Sequence, residues 1–298
     1  MLNSKPIISI KDLRVSYDKK KPIESTLIES FSYDFEPGKI YFIIGNSDAG
    51  KTTLVKHFNG LLKSNQGTIN VNDFIIDPKK KKIKNFKKLR KMISMVFQFP
   101  EYQLFKDTVA KDIMFGPINL WTKKEEAKKL AKEKLEMLGM SADTYFSRSP
   151  FALSGGQKRR VAIAGILAIN PEIIIFDEPT AGLDPAGEQM MMDIIGDLKK
   201  EGKTVIVVTH VMSQVLQMAD ETLLLGNKKL LLSGNPYEIF TNDKIIEENY
   251  LDKPSIIKII DRLYEVDKRF KKLYEMRPRN ANDFVDCISK IISGTENG

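Results

Sequence analysis

The sequence predicts an α/β fold with a mostly parallel sheet and flanking helices. From residue 172 onward, strand patterns alternate with helical patterns, which is typical of such sheets. Residues 39–44 form a nearly continuous apolar run, as in a strand that is covered on both faces. The 298 residues, 42% of them hydrophobic, are enough for one large domain and an additional piece.

The N-terminal third contains four strand patterns and a helix. Residues 7–17 alternate apolar and polar side chains, and residues 31–35 repeat the pattern before the Pro37-Gly38 turn, so two half-buried strands are expected. The buried strand 39–44 then runs into a glycine-rich segment. Apolar residues from Leu54 to Leu62 have helical spacing, and residues 67–71 are typical of another short strand.

The middle of the chain is predicted to be helical after an apolar stretch at residues 92–97. Asp107 or Thr108 is expected to cap a short helix that ends near Gly116-Pro117. A T-x-x-E capping box at Thr122 then predicts a longer helix that Gly139 ends.

The C-terminal half supplies the alternating elements. We expect a strand up to Phe176, a helix at 185–200, a strand at 204–209 and a hairpin that pairs 222–225 with 229–232. Beyond residue 235 the sequence becomes charged and helical in pattern. We therefore divide the chain into residues 1–235 and a helical extension at 236–298, for which we expect a role in dimerisation.

Several classes of protein are disfavoured by the composition. No apolar run approaches the ~20 residues that span a bilayer, and the N-terminus lacks the continuous apolar segment of a signal peptide. The single cysteine, Cys287, cannot form an intramolecular disulfide. A location in the cytoplasm is expected.

A basic run at residues 79–91 accounts for much of the net charge of +8. One interpretation is a nucleic-acid or anionic-membrane surface. The other is a helix with a solvated basic face, because Ile83, Phe86, Leu89 and Ile93 recur at helical spacing. We favour the second over nucleic-acid binding, since no aromatic residues are placed to stack on bases.

The segment that follows the buried strand matches G-x-x-x-x-G-K-[ST]. In such a loop, backbone N–H groups surround the phosphates of a nucleotide, the lysine reaches the terminal phosphates, and the hydroxyl holds Mg²⁺. The predicted ATP-binding residues are Gly45, Asn46, Ser47, Asp48, Ala49, Gly50, Lys51, Thr52 and Thr53.

A second candidate is the apolar run at 173–176 that ends in Asp177 and Glu178. Charges at the end of a buried strand need a metal or water as partner. Asp177 is predicted to lie in the Mg²⁺ shell, and Glu178 to orient or deprotonate an attacking water. An exposed acidic turn is the alternative, and the phosphate loop in the same chain disfavours it.

A third candidate is the segment Leu153, Ser154, Gly155, Gly156 and Gln157, followed by helical spacing up to residue 169. A glycine-rich helix start offers free N–H groups and the positive end of the helix dipole to an anion. By itself the segment would more often be a flexible helix cap. Together with the phosphate loop it indicates a second phosphate-binding place.

Over residues 7–234 the chain resembles the ATP-binding cassette family. Besides the three segments above, Gln98 follows a strand, residues 181–184 read AGLD just after Glu178, and His210 follows the strand 204–209, all in the order of that family. The resemblance implies a P-loop NTPase core with a mostly parallel sheet, an N-terminal antiparallel β subdomain, a helical signature subdomain at about 100–165 and the C-terminal helical extension.

The resemblance also implies roles for single residues. Tyr17 would stack on adenine, Gln98 would contact Mg²⁺ and the water, and His210 would contact the γ-phosphate. The ATP of a partner subunit would be bound in trans by Ser154, Gly155, Gly156, Gln157 and Asp184. The implied catalytic residues are Glu178, His210 and Gln98, and the implied metal-binding residues are Thr52, Gln98 and Asp177.

Within this family, residues 97–105 and 115–117 are similar to the ATPases of energy-coupling-factor transporters, and specifically to their second paralogue. Such an ATPase would pair with a paralogous subunit, with a homodimer as the alternative. It would also bind a membrane coupling (T) protein and small-substrate-binding (S) membrane proteins. The implied function is ATP-driven uptake of vitamins or transition-metal ions, at the cytoplasmic face of the membrane.

Three alternatives stay open from the sequence. The first is the ATPase of another importer class, which residues 99–105 disfavour. The second is a cassette ATPase that acts on DNA or ribosomes, for which the chain lacks a long heptad insertion and a second cassette. The third is a regulatory subunit that binds nucleotide without hydrolysis, which would leave Glu178 and His210 unexplained.

One residue departs from the family pattern. Asp48 stands where the family usually has glycine, at a position for which we expected positive φ. Its negative charge near a polyphosphate predicts ATP binding that is weaker, or more dependent on Mg²⁺, than in an Asp48→Gly variant.

Overall fold

The computed structural model describes residues 5–16, 26–80 and 83–293. Ten strands form one sheet in the order β5-β4-β1-β2-β10-β9-β3-β8-β7-β6. The strands are β1 Ile8–Ser16, β2 Thr26–Phe35, β3 Ile40–Gly45, β4 Gln66–Val71, β5 Phe74–Ile76, β6 Ile93–Val96, β7 Ile173–Asp177, β8 Thr204–Val208, β9 Glu221–Gly226 and β10 Lys229–Gly234.

The half of the sheet from β9 to β6 is parallel throughout. Its strands are buried on both faces, as the apolar runs predicted. Parallel strands have their carboxyl ends at one edge, and Val208 of β8 pairs with both Ile43 of β3 and Asp177 of β7. The segments after β3, β6, β7 and β8 therefore meet at this edge.

The other half of the sheet, β5-β4-β1-β2, is antiparallel. The two halves meet where β2 and β10 run in parallel through a single pair, Lys229 with Ser30. The amide of Glu29 also donates to the carbonyl oxygen of Lys228 at 2.9 Å. This junction of β2 and β10 is the narrowest part of the sheet.

Thirteen α-helices lie within the described residues, together with 3₁₀ helices at Pro100–Gln103, Pro150–Ala152 and Lys268–Lys271. The α-helices are α1 Lys51–Phe58, α2 Phe86–Met92, α3 Val109–Asn119, α4 Lys124–Met137, α5 Ala142–Tyr145, α6 Gly155–Leu167, α7 Pro185–Lys200, α8 Met212–Met218, α9 Pro236–Phe240, α10 Asp243–Glu248, α11 Ser255–Val266, α12 Lys272–Met276 and α13 Ala281–Ser293. None of these helices is long and apolar enough to cross a membrane.

Two hydrophobic cores cover the two faces of the sheet. Tyr41 and Ile43 of β3 face a core shared with α1, whereas Phe42 and Ile44 face a core shared with α3, α4, α6 and α7. Buried residues of the extension, such as Phe240 and Ile257, belong to this second core. The division of the chain at residue 235 stays a prediction.

The helix α3 begins after its predicted cap Thr108 and ends at Asn119, just past the predicted end at Gly116-Pro117, because a proline in the last turn removes only one helical hydrogen bond. Two local expectations were wrong. The capping box at Thr122 does not form, since the amide of Thr122 closes α3 by donating to Pro117 O at 3.0 Å, and the N-cap of α4 is Lys123. Ile93 is the first residue of β6 rather than part of a helical stripe.

Candidate functional site

The phosphate loop (residues 45–52) connects β3 to α1 and depends on two glycines with positive φ. Gly45 has φ 142° and Gly50 has φ 82°. A Cβ atom on Gly45 would lie 2.1 Å from the carbonyl oxygen of Leu225, so only glycine fits. The expectation of positive φ at Asp48 was wrong, since Asp48 is absent from the described non-glycine residues with positive φ.

Lys51 is held inside this loop. Its side chain is 7% exposed, and its Nζ donates to the carbonyl oxygens of Gly45 and Asn46, both at 2.7 Å. Burial lowers the pKa of Lys51, and the negative charges of Glu178, Asp177 and Asp48 oppose that shift. An ammonium group bound only to carbonyl oxygens can exchange them for phosphate oxygens, which bind it more strongly.

Asp177 lies at the end of β7, next to the start of α1. The hydroxyl of Thr52 donates to Asp177 Oδ1 at 2.8 Å. Burial raises the pKa of Asp177, while the Thr52 hydroxyl and the charges of Lys56 and Lys51 lower it. A hydroxyl and a carboxylate this close together are oxygen ligands of the kind that Mg²⁺ prefers, so these residues fit the ion that the sequence implied.

Glu178 has a backbone conformation that is rare for its residue type, with φ 51°. Its amide donates to Val208 O at 2.9 Å, which fixes the turn to the end of β8. Its Oε2 lies 2.9 Å from Nδ1 of His210. The strained turn therefore brings a carboxylate and an imidazole together at the edge where the phosphate loop lies.

A cavity of about 620 Å³ joins these groups. It is lined by Leu27, Gly45, Ser47, Asp48, Gly50, Lys51, Thr52, Thr53, Gln98, Glu178, His210 and Lys228. The structure thus brings together most of the residues predicted to bind ATP, along with Gln98, Glu178 and His210. Asn46, Ala49 and Asp177 do not line the cavity directly, and Tyr17 falls outside the described residues.

Sequence reasoning missed two residues of this cavity, Leu27 and Lys228. Leu27 belongs to β2, and Lys228 lies in the turn of the β9–β10 hairpin with φ 62°. Neither residue is part of a motif, and they reach the phosphate loop only because β2 and β10 pair across the sheet. Only the hairpin itself was predictable from the sequence.

The signature segment (residues 153–157) lies elsewhere, and none of its residues lines this cavity. Ser154 and Gln157 form a capping box at the start of α6, in which Gln157 N donates to Ser154 Oγ at 3.3 Å and Ser154 N donates to Gln157 Oε1 at 3.0 Å. Ser154, Gly155 and Gly156 are exposed. Asp184, also exposed, caps α7 by accepting from Gly187 N at 2.7 Å.

Arg159 of α6 connects the signature helix to the turn after Glu178. It is 6% exposed and donates to Ala181 O at 2.9 Å and to Pro179 O at 2.6 Å. Burial lowers its pKa, and the charge of Glu101 opposes the shift. Arg159 therefore ties α6 to the turn that holds Glu178. Glu178 nevertheless lines the cavity, whereas residues 153–157 do not.

Comparison with known proteins places this geometry in context. A family model described as ABC transporter matches residues 28–181. The energy-coupling factor transporter ATP-binding protein EcfA2 of Mycoplasmoides gallisepticum is 54% identical over 296 residues, covering 97% of this chain and 93% of that protein. The protein of the same name from Mycoplasma pneumoniae is 51% identical over 287 residues, covering 96% of this chain and 94% of that protein.

Solved structures with a similar fold come from ABC proteins as well. CbiO1 from Clostridium perfringens, described as part of the ABC transporter complex CbiONQ, has a TM-score of 0.70 at 31% identity, covering 91% of this chain and 100% of that chain. An ATP-binding cassette in a dimeric post-hydrolysis state bound to ADP and Pi has a TM-score of 0.67 at 26% identity, covering 77% of this chain and 98% of that one. The predicted fold class is confirmed.

Proposed function

Because this chain belongs to the ABC transporter family, and within it to the energy-coupling factor transporter ATP-binding proteins, we propose that it hydrolyses ATP to drive uptake through such a transporter. The observation on which this depends is the cavity at the edge of the parallel strands. There the phosphate loop, Gln98, Glu178 and His210 line one space of about 620 Å³. That volume suits a nucleotide.

Each side chain then has a role that its contacts support. Lys51 and the loop amides bind the β- and γ-phosphates, since Lys51 already lies among the loop carbonyls at 2.7 Å. Glu178 accepts the proton of the attacking water, and His210, 2.9 Å from Glu178 Oε2, orients the carboxylate and contacts the γ-phosphate. Leu27 of β2 and Lys228 of the β9–β10 turn line the same space.

Thr52 and Asp177, with Gln98, would hold Mg²⁺. The ion when bound neutralises phosphate charge. The Thr52 hydroxyl donates to the buried Asp177 carboxylate at 2.8 Å, so these two candidate oxygen ligands lie side by side. ATP and Mg²⁺ are thus the proposed substrate and cofactor.

The position of the signature segment supports ATP binding between two subunits of a dimer. Its exposed amides lie away from the chain's own cavity, so Ser154, Gly155, Gly156, Gln157 and Asp184 are proposed to contact the ATP of a partner subunit. The partner is a paralogous ATPase, with a second copy of this chain as the alternative. A dimerisation role for residues 236–298 belongs to the same proposal.

Exposed aromatic residues support contact with a membrane component. Phe99, Tyr102, Phe105 and Phe115 are 45%, 84%, 54% and 42% exposed, and Phe105 packs edge-on against Phe115 at 4.8 Å. An exposed apolar cluster of this kind marks a binding surface. We propose that it binds the membrane coupling protein, so that the subunit lies at the cytoplasmic face while separate membrane proteins bind the vitamin or metal ion.

The test is a Glu178→Gln variant, purified with its paralogous ATPase. We expect phosphate release to fall about 100-fold or more, because the general base is lost, while ATP binding persists and a closed pair accumulates in gel filtration with ATP. Glu172→Gln is the matched control, since Glu172 is an exposed glutamate just before β7. Unchanged phosphate release in Glu178→Gln would contradict the proposed catalytic role.

A further inference from the structure

The basic run at residues 79–91 takes no part in the nucleotide cavity. Residues 78–100 contain nine Lys or Arg and no Asp or Glu. The described lysines of this run are all exposed, namely Lys79, Lys80, Lys84, Lys87, Lys88 and Lys91. Among the ion pairs between described residues, none includes any of these six.

Some lysines elsewhere on the molecule do have carboxylate partners. On α4, for example, Lys129 and Lys132 have carboxylates of Glu133 and Asp143 within 3.8 and 3.9 Å. A solvated helix face normally mixes the two signs of charge in this way. A patch with one sign produces a positive potential that attracts a polyanionic surface.

Trp121, the single tryptophan of the chain, lies beside one of these lysines, Lys87. Lys87 Nζ is 5.3 Å from the centre of its ring, and the side chain is 59% exposed. Trp121 has φ 67° at the end of α3, where its amide donates to Ile118 O and the Thr122 amide donates to Pro117 O. This is a Schellman ending, in which glycine is the usual residue at the position of Trp121.

The end of α4 is a Schellman ending with the usual glycine. Gly139, with φ 70°, closes α4 through the same pair of hydrogen bonds, from Gly139 N to Glu136 O and from Met140 N to Leu135 O. A bulky residue with positive φ is rare and strained. Backbone preference therefore does not account for Trp121, and its exposed ring gains little from the protein's own core.

Exposed apolar side chains border the lysines on both sides. Ile118, one turn before Trp121, is 44% exposed. Leu61 and Leu62 are 38% and 39% exposed and directly follow Gly60. Gly60 itself lies against Ile83 and Phe86 near the start of α2, because a Cβ atom added to it would lie within 3 Å of both side chains. Exposed aliphatic groups therefore lie near the start of α2, and the exposed tryptophan lies at Lys87 of the same helix.

We propose that Lys79, Lys80, Lys84, Lys87, Lys88, Lys91 and Trp121 form a basic surface that binds the anionic headgroups of a phospholipid bilayer. Lysine clusters next to Trp and aliphatic side chains are suited to the interface of an anionic membrane, where the ring and the apolar groups enter the headgroup region. Nucleic acid fits this surface less well. It would leave Leu61, Leu62 and Ile118 without apolar partners, and the one arginine present, Arg90, is half-buried against Phe86.

The contact would attach the chain to the surface of an anionic membrane. The inference is independent of the proposed transport function, because lipid binding by the isolated chain involves neither nucleotide nor partner. Failure of one proposal leaves the other untouched.

The tryptophan provides a direct measurement. Purified chain is mixed with vesicles of phosphatidylglycerol and phosphatidylcholine in equal parts, or of phosphatidylcholine alone. We expect a blue shift of the Trp121 emission, quenching by spin-labelled lipid and cosedimentation with the anionic vesicles only. All three effects should be lost in about 0.5 M salt, because the attraction is largely electrostatic. Absence of a shift, of quenching and of cosedimentation with anionic vesicles would overturn the proposal.

Two variants separate the charge from the ring. Replacing Lys84, Lys87, Lys88 and Lys91 with Gln should weaken vesicle binding about 100-fold or more, since each lysine near an anionic surface contributes roughly fivefold. The matched control replaces Lys124, Lys128, Lys129 and Lys132 of α4 with Gln and should bind like the wild type. Equal losses in the two variants would show that net charge alone acts and would overturn the proposed surface.

Trp121→Gly tests the ring without risk to the fold, because glycine is the residue that a Schellman ending favours. We expect an unchanged or higher melting temperature and about tenfold weaker cosedimentation. Double-stranded DNA and single-stranded RNA serve as competitors at the same ionic strength. If a nucleic acid quenches Trp121 and binds more tightly than the anionic vesicles, the surface is a nucleic-acid site and the lipid assignment is wrong.

Discussion

Two helices of this protein begin at glycine-rich segments, and they differ in what those glycines touch. The helix α1 begins after Gly50, whose φ of 82° places it in the left-handed region, and no side chain caps it. The helix α6 begins after Ser154, which caps it together with Gln157. Free amides at a helix start bind anions, so both starts are suited to phosphate.

The phosphate loop and the signature segment differ in the atoms that surround their glycines. At Gly45 an added Cβ would lie 2.1 Å from Leu225 O, and at Gly50 it would lie 3.3 Å from Leu27 O. At Gly155 and Gly156 an added Cβ would meet nothing within 4 Å. The chain's own fold explains the glycines of the phosphate loop but not those of the signature segment. Their small size is explained if another molecule approaches them closely, as the proposed pairing requires.

The largest effect is expected from Gly45→Ala. The methyl group meets a strand carbonyl, and φ 142° is unfavourable for alanine, so the free energy of unfolding should drop by about 3 kcal/mol or more and ATP binding should be lost. Thermal unfolding and nucleotide titration measure both. A stable variant that binds ATP normally would show that the loop tolerates a side chain, which would remove the contrast between the two segments.

Gly156→Ala should have the opposite profile. Alanine is favoured over glycine in a helix, so the melting temperature should stay the same or rise, and ATP binding by the isolated chain should be unchanged. ATP turnover by the paired subunits should nevertheless fall on the order of 100-fold, because the new methyl group would hold the partner's phosphate away from the backbone N–H groups that stabilise it. Gly196→Ala in α7, where the new methyl makes only ordinary contact with Met218, is the control and should leave turnover intact.

Asp177→Asn should stabilise the nucleotide-free protein. Burial raises the pKa of Asp177 above its ordinary value of 3.8, which means that the ionised carboxylate weakens the folded state at neutral pH. The variant should melt roughly 2–4 °C higher near pH 7, and it should lose Mg²⁺-dependent ATP binding.

The stability difference between the wild type and Asp177→Asn should depend on pH. As the pH falls through the folded pKa of Asp177, the wild type becomes protonated and its disadvantage disappears. The difference in melting temperature between wild type and Asp177→Asn should therefore shrink on acidification. Asp197→Asn, at an exposed position of α7, is the control. A variant less stable than the wild type at pH 7 would contradict the assigned cause.

The smallest effect is expected from Asp48→Gly. Asp48 is exposed, lines the nucleotide cavity and acts electrostatically on Lys51. Removing its charge should tighten ATP binding several-fold at low Mg²⁺ and less at high Mg²⁺, since solvent and the cation screen the repulsion. Asp48→Asn should reproduce most of the gain, because Asp48 is not among the described non-glycine residues with positive φ. Titration calorimetry with the wild type and the two variants measures the three ATP affinities. Equal values would exclude the charge effect.

The sequence predicted what local pattern determines. The buried strands, the phosphate loop, the acidic strand end and α7 at Pro185–Lys200 all follow from short runs of residues. It did not predict that Leu27 and Lys228 would line the cavity, because their proximity depends on pairing between β2 and β10, about 200 residues apart. The start of α4 was misjudged for a related reason, since the Thr122 amide is already used to close α3.

The junction of β2 and β10 has a thermodynamic consequence. One residue pair, one hydrogen bond from Glu29 and the ion pair of Glu29 with Lys229 at 2.8 Å join the two halves of the sheet there. The nucleotide cavity spans this place, since Leu27 on the β2 side and Lys228 on the β10 side both line it together with the phosphate loop. Occupancy would therefore suppress local opening, so the deuterium uptake of the Glu29 amide would report the free energy of binding.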